Sequence, residues 1–245
     1  ASAIVIAAGG VAVAKHGNRA ASSKCGAADV LEELGININI SPEKSREILS
    51  KINICFLFAQ NYHIAMKYVA PVRKELGIRT VFNILGPLSN PAGANIELMG
   101  VYDESLIEPL AKVMQNLGVK RGMVVYGTDK IDEISMSSET KVCEILDKEN
   151  LKSYTISPKD FGYDFCDKKE LEGGSVKENA EIIRNIFNLK DNGAKRKAVC
   201  MNAGAGFYIA KKVKNIKEGV QMAENLIDEK KAFEKLEDFI KESNS

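Results

Sequence analysis

The chain has 245 residues, with 34 Lys and Arg against 33 Asp and Glu, a net charge of +1 and 45% hydrophobic residues. That balance gives no global electrostatic case for a nucleic-acid partner, and the apolar share is enough to bury a full core. No run approaches the roughly 20 apolar residues of a membrane span. The five Cys show no CxxC pair, which argues against a disulfide framework or zinc site and fits a reducing, cytoplasmic setting. Along the chain, ASAIVIAAGG reads as the end of a buried helix stopped by Gly9 and Gly10. So apolar an opening, without Met, is expected of a chain that begins inside a larger protein. Val11–Ala14 predicts a short strand. Gly26–Leu34 has helical spacing, with Gly35 at the C-cap position. Ser41 and Pro42 mark a helix start, running to about Ile52.

Ile54–Phe58 is too apolar to face water and predicts a buried strand. His63–Leu76 reads as a helix, interrupted near Pro71. Thr80–Leu85 predicts a strand, followed by the Pro- and Gly-punctuated loop GPLSNPAG. Further strands are expected at Glu97–Tyr102 and Gly122–Tyr126, with a helix over Leu106–Leu117 between them. Val142–Leu146 and Leu151–Ile156 predict a hairpin. Helices follow at Lys177–Phe187 and, after a strand-like start, within Lys197–Phe207. The stretch Ile216–Ile240 reads as continuously helical. Alternation of strands and helices predicts an α/β fold, a mostly parallel central sheet flanked by helices, with an antiparallel portion. Residues 1–245 are expected to form one catalytic domain.

The densest chemistry lies in KHGNRAASSK, after the first strand. A loop of Gly, Ala and Ser lets backbone N–H groups approach an anion, and the helix beginning near Gly26 directs its dipole to the same place. Lys15, Arg19 and Lys24 add positive charge, and Ser22 and Ser23 add hydroxyls. The pattern suits a phosphate cradle at a strand's carboxyl end, where open α/β sheets bind ligands. On composition alone a plain solvated loop fits equally well. Asp132 and Glu133, in GTDKIDEIS, suit magnesium, which takes one or two carboxylates and completes its shell with water and phosphate. Solvated surface is the alternative. Arg73 can fork onto a carboxylate or phosphate, or simply sit on a helix surface. GPLSNPAG could wall a pocket or form only a tight turn.

Taken in order, KHGNRAASSKCGAADVLEELG, FLFAQNYHIAMKYVAPVRKELGIRTVFNILGPLSNPAG, DEIS and LEGGSVKENAEIIRNIF resemble the anthranilate phosphoribosyltransferase family from Ala1 to about Ile240. The resemblance implies a nucleoside-phosphorylase-like α/β catalytic domain. It implies transfer of phosphoribose from phosphoribosyl pyrophosphate to the amino group of anthranilate, releasing pyrophosphate, in tryptophan biosynthesis. By motif it assigns Lys15, His16, Gly17, Asn18, Arg19, Ala20, Ala21, Ser22, Ser23 and Ala27 to phosphoribosyl pyrophosphate. Asn18, Arg73, His16, His63 and Pro87 fall to anthranilate, and Asp132 and Glu133 to Mg2+. It also implies a homodimer and an N-terminal helical domain, with a Gly-Thr-Gly-Gly-Asp loop, that this chain largely lacks. The chain departs from the pattern at Cys25 and Ala27, where Ser is usual, at Ile64 for Pro and at Lys130 for Gly. A pyrimidine nucleoside phosphorylase or a nucleic-acid-binding relative would share the fold. The KHGN and Arg73 blocks do not look like the first, and near-neutral charge speaks against the second.

Overall fold

The computed structural model describes residues 1–20, 25–63, 68, 75 and 82–245. Its helix ends follow local chemistry. The helix α3, Pro42–Ile52, starts where the Ser41 hydroxyl accepts the Lys44 N–H at 3.2 Å, with Pro42 in the first turn. Asn53, in the left-handed region at φ 61, ends it and turns the chain into β2, Ile54–Phe58. All five residues of β2 are buried. β2 runs parallel to β1, Val13–Gly17, pairing Lys15 with Phe56 and His16 with Leu57. The expected strand at Val11–Ala14 therefore lies further along, and Lys15, His16 and Gly17 are strand residues.

A second sheet has the order β3-β4-β5-β6, formed by Ile96–Gly100, Arg121–Gly127, Thr140–Ile145 and Leu151–Ile156. β3 and β4 are parallel, whereas β4-β5 and β5-β6 are antiparallel. The hairpin expected from the sequence is β5-β6. The α/β class holds, with pairings among the described residues divided evenly between the two senses. Helix α6, Ile107–Asn116, buries Ile107, Leu110, Ala111 and Met114 against one side of this sheet. The larger core joins α1 (Ser2–Ala8), α3, β2 and the C-terminal helices around Phe56, Phe187, Phe207 and Phe239. Among the described residues no helix is long and apolar enough to cross a membrane.

Three predicted elements are corrected. The segment read as a strand at Thr80–Leu85 contains a helix, Phe82–Leu88, which takes in Gly86 and Pro87, so the turn begins only at Ser89. A short apolar run does not separate strand from buried helix by period. The strand-like start within Lys197–Phe207 is helical, part of α8, Ala194–Ile209. α8 is buried on every side from Cys200 to Phe207, so it has no amphipathic stripe to betray it. The expected continuous helix at Ile216–Ile240 is two, α9 (Ile216–Asp228) and α10 (Lys231–Ser243), parted where Lys230 turns left-handed at φ 59. In the order of the chain the remaining helices are α2 (Ala27–Glu33), α4 (Ala59–Tyr62), α5 (Phe82–Leu88) and α7 (Val176–Phe187). Most of the helix expected over His63–Leu76 lies outside the described residues.

Candidate functional site

A cavity of about 2030 Å3 opens at the carboxyl end of β1, between the two sheets. Lys15, His16, Gly17, Asn18, Arg19, Ala27, His63, Pro87, Asp132 and Glu133 all line it. Residues drawn from four separate stretches of sequence thus share one space. Ala21, Ser22, Ser23 and Arg73 lie outside the described residues. Ala20 is not part of the lining.

The loop after β1 is organised by a residue that sequence reasoning missed. The Asp29 carboxylate accepts the N–H of Ala20 at 3.1 Å and of Gly26 at 3.0 Å, and it also takes the Arg19 guanidinium at 3.0 Å. Those bonds, led by Ala20, hold its pKa below the usual carboxylate range. Gly26 is required by close approach, since a Cβ there would lie 2.3 Å from the Ala20 nitrogen. The Ala20 amide, expected to face an anion, is therefore spent on Asp29. Arg19 is also spoken for. It pairs with both carboxylate oxygens of Glu32 and stacks over Phe58, so its charge supports the loop from behind. Lys15 and Asn18 remain exposed toward the cavity, and the Asn18 side chain accepts the Arg19 N–H at 2.8 Å.

His16 and His63 meet edge to face, with Nε2 to Nε2 at 3.2 Å. His16 Nδ1 lies 3.2 Å from the Gly86 carbonyl. A carbonyl only accepts, so Nδ1 carries hydrogen and neutral His16 presents a lone pair to His63. Burial, then His63, lowers the His16 pKa against the opposing Gly86 hydrogen bond. The segment after α5 is tied to the same strand by Asn90, whose amide donates to the Ala14 carbonyl at 3.0 Å. GPLSNPAG therefore walls the cavity, and Asn90 is the tie that its turn-like composition concealed.

Asp132 and Glu133 follow a tight bend after β4. Gly127 N–H donates to the Ile131 carbonyl at 2.8 Å, and Lys130 takes φ 69. That left-handed value favours glycine, the residue the family pattern has there, so Lys130 holds the bend at a steric cost. Ser135 and Ser137 donate to the Asp129 carboxylate and close the bend from behind. A Cβ on Gly100 would lie 1.6 Å from the Asp132 carbonyl oxygen, so the loop seats in a notch only glycine leaves open. Glu133 keeps surface open to the cavity while protein crowds its other sides. Burial pushes its carboxyl up, adjacent Asp132 adds to the rise, and Lys15 pulls it down. A pair of like charges in that position fits a hard divalent cation, which would offset the repulsion. Among the described residues no three His, Cys, Asp or Glu side chains converge as a metal cage. A cation here would complete its shell from water and a bound phosphate.

A family model described as "Glycosyl transferase family, a/b domain" matches residues 1–233. The chain is 59% identical, over 244 residues, to the anthranilate phosphoribosyltransferase of Methanobrevibacter smithii, covering 100% of this chain and 72% of the relative. The crystal structure of the Thermus thermophilus anthranilate phosphoribosyltransferase superposes with a TM-score of 0.94 at 42% identity, covering 100% of this chain and 72% of that one. The Saccharomyces cerevisiae enzyme in complex with PRPP and Mg superposes with a TM-score of 0.90 at 30% identity, covering 99% and 68%. With relatives this similar along its whole length, the chain belongs to the anthranilate phosphoribosyltransferase family, on the a/b domain of the glycosyl transferase family.

Proposed function

We propose that this chain transfers phosphoribose from phosphoribosyl pyrophosphate to the amino group of anthranilate, giving N-(5-phosphoribosyl)anthranilate and pyrophosphate in tryptophan biosynthesis. The observation that carries this reading is the shared cavity. It brings a cationic strand end, Lys15 to Asn18, and the paired carboxylates Asp132 and Glu133 to one space. The bond from ribose C1 to the pyrophosphate oxygen breaks, the anthranilate nitrogen bonds to C1, and that nitrogen loses a proton. Lys15 stabilises the departing anion electrostatically. Mg2+, when bound, offsets charge on the pyrophosphate, and Asp132 and Glu133 are the residues that would hold it. An aromatic amine is already neutral at pH 7 and chiefly needs positioning, an effect worth up to roughly 7–11 kcal/mol in ideal cases. His16, His63 and Pro87, with Asn18 and Arg73, are assigned to that task on the family resemblance. No side chain is assigned as a base.

In this reading residues 1–245 act as one catalytic domain, in the cytoplasm. The family resemblance is the support for a homodimer, which light scattering tests. The function is tested by incubating the protein with anthranilate, phosphoribosyl pyrophosphate and Mg2+. Anthranilate loss and pyrophosphate release in equal amounts are expected. Pyrophosphate release that is independent of anthranilate would point to a different acceptor.

A further inference from the structure

Asn202 lies on α8, far in sequence from every motif above, yet its side chain reaches the loop that carries the two carboxylates. Its Oδ1 accepts the Ile134 N–H at 3.0 Å, and its Nδ2 donates to the Ile134 carbonyl at 3.0 Å. The second Nδ2 hydrogen goes to the Ala198 carbonyl, one turn back along α8, at 2.9 Å. Because the Ile134 N–H can only donate and its carbonyl only accept, the amide has a single satisfactory orientation. Asn202 thus stands in for a strand neighbour to one residue, Ile134, which follows Glu133 directly. It is 7% exposed and Ile134 is 2% exposed, so both bonds form away from competing water.

The two sides of the carboxylate pair are then pinned independently. Before Glu133, the Asp132 peptide fills the notch at Gly100. After it, both backbone groups of Ile134 are held by Asn202. We infer that Asn202 is a positioning residue: it fixes the backbone of Asp132 and Glu133 so that the carboxylates are set before a cation arrives. The inference rests on the reading of these carboxylates as the magnesium holders. No shorter residue spans the distance. Aspartate keeps the acceptor but loses both donors, and glutamine adds a methylene that shifts the amide.

The test compares Asn202→Asp and Asn202→Ser with Met201→Ala, a neighbouring fully buried position on α8 that lies outside the cavity lining. Two readouts are taken. Amide hydrogen exchange, measured without metal, should show lost protection at Ile134 in Asn202→Ser, which removes the acceptor of its N–H, and not in Met201→Ala, while Asn202→Asp, which keeps that acceptor, should lose less. The Mg2+ concentration for half-maximal transfer should rise at least tenfold in the Asn202 variants, with the anthranilate KM within twofold. Met201→Ala should lower thermal stability and leave the Mg2+ requirement unchanged. Unchanged exchange at Ile134 in Asn202→Ser, or lowered stability with an unchanged Mg2+ requirement in the Asn202 variants, would overturn the positioning role. Absence of transfer by the unsubstituted protein would overturn the functional reading, while the exchange measurement would still decide the clamp. If Asn202→Asp fails to fold, Asn202→Ser carries the same comparison.

Discussion

At the scale of single residues, two positions in the cavity region carry a measurable cost. Lys130 adopts φ 69, a region in which a side chain costs roughly 1–2 kcal/mol. Glycine there escapes the strain but loses more entropy on folding, by roughly 0.5–1 kcal/mol. The expected net result is that Lys130→Gly stabilises the protein by about 0.5–1 kcal/mol, read as a raised urea midpoint. A lower midpoint would mean that the Lys130 side chain contributes more than its backbone costs. Glu97 lines the large cavity, and burial pushes its carboxyl up to about 7 from 4.5. Its folded pKa is above its unfolded value, so the stability it supports is full below pH 4.5 and is lost as pH rises through about 7. Glu97→Gln should remove that loss, raising stability at pH 8 by on the order of 1–3 kcal/mol and changing little at pH 4.5. Equal gains at both pH values would show a packing effect and not a titration.

At the scale of elements, the loop after β1, proposed to bind phosphate, depends on Asp29 more than on the composition that drew attention to it. Asp29→Ala removes the acceptor for the Ala20 and Gly26 amides. The expected outcome is a stability loss of about 1 kcal/mol, the usual worth of a capping side chain, with a fall of at least tenfold in affinity for phosphoribosyl pyrophosphate. Calorimetry checks the second, and anthranilate affinity should move far less. The same elements show what the sequence could and could not disclose. Ser41 with Pro42 marks a helix start because capping is local chemistry, and α3 begins there. Ile54–Phe58 is a strand because five successive apolar residues are buried. α8 was read partly as strand because a helix buried all round has no stripe, and the α9–α10 break was hidden because Lys230 is not a glycine. Lys15, His16 and the Asp132–Glu133 pair were legible as side chains of suggestive type. Asn90 and Asn202 were not, because each holds a distant backbone and leaves no spacing pattern, whereas Asp29, three residues after Gly26 at the start of α2, had the spacing of a capping acid.

At the scale of the molecule, the two sheets matter because they bring opposite charges to one cavity: β1 carries Lys15, and the loop after β4 carries Asp132 and Glu133. Neither sheet completes a site alone. On the proposed function, a cation held by Asp132 and Glu133 completes its shell from the bound pyrophosphate, since no three His, Cys, Asp or Glu side chains converge there among the described residues. The central claim is therefore a coupling between Mg2+ and phosphoribosyl pyrophosphate that runs through the carboxylate pair. Titration calorimetry of phosphoribosyl pyrophosphate, with and without saturating Mg2+, measures it in the unsubstituted protein and in the Asp132→Asn, Glu133→Gln double variant. The account predicts that Mg2+ tightens binding at least tenfold, about 1.4 kcal/mol, in the first protein. In the second the two titrations should coincide, at a melting temperature close to that of the first. Mg2+ tightening of equal size in both proteins would contradict it and would place the cation elsewhere.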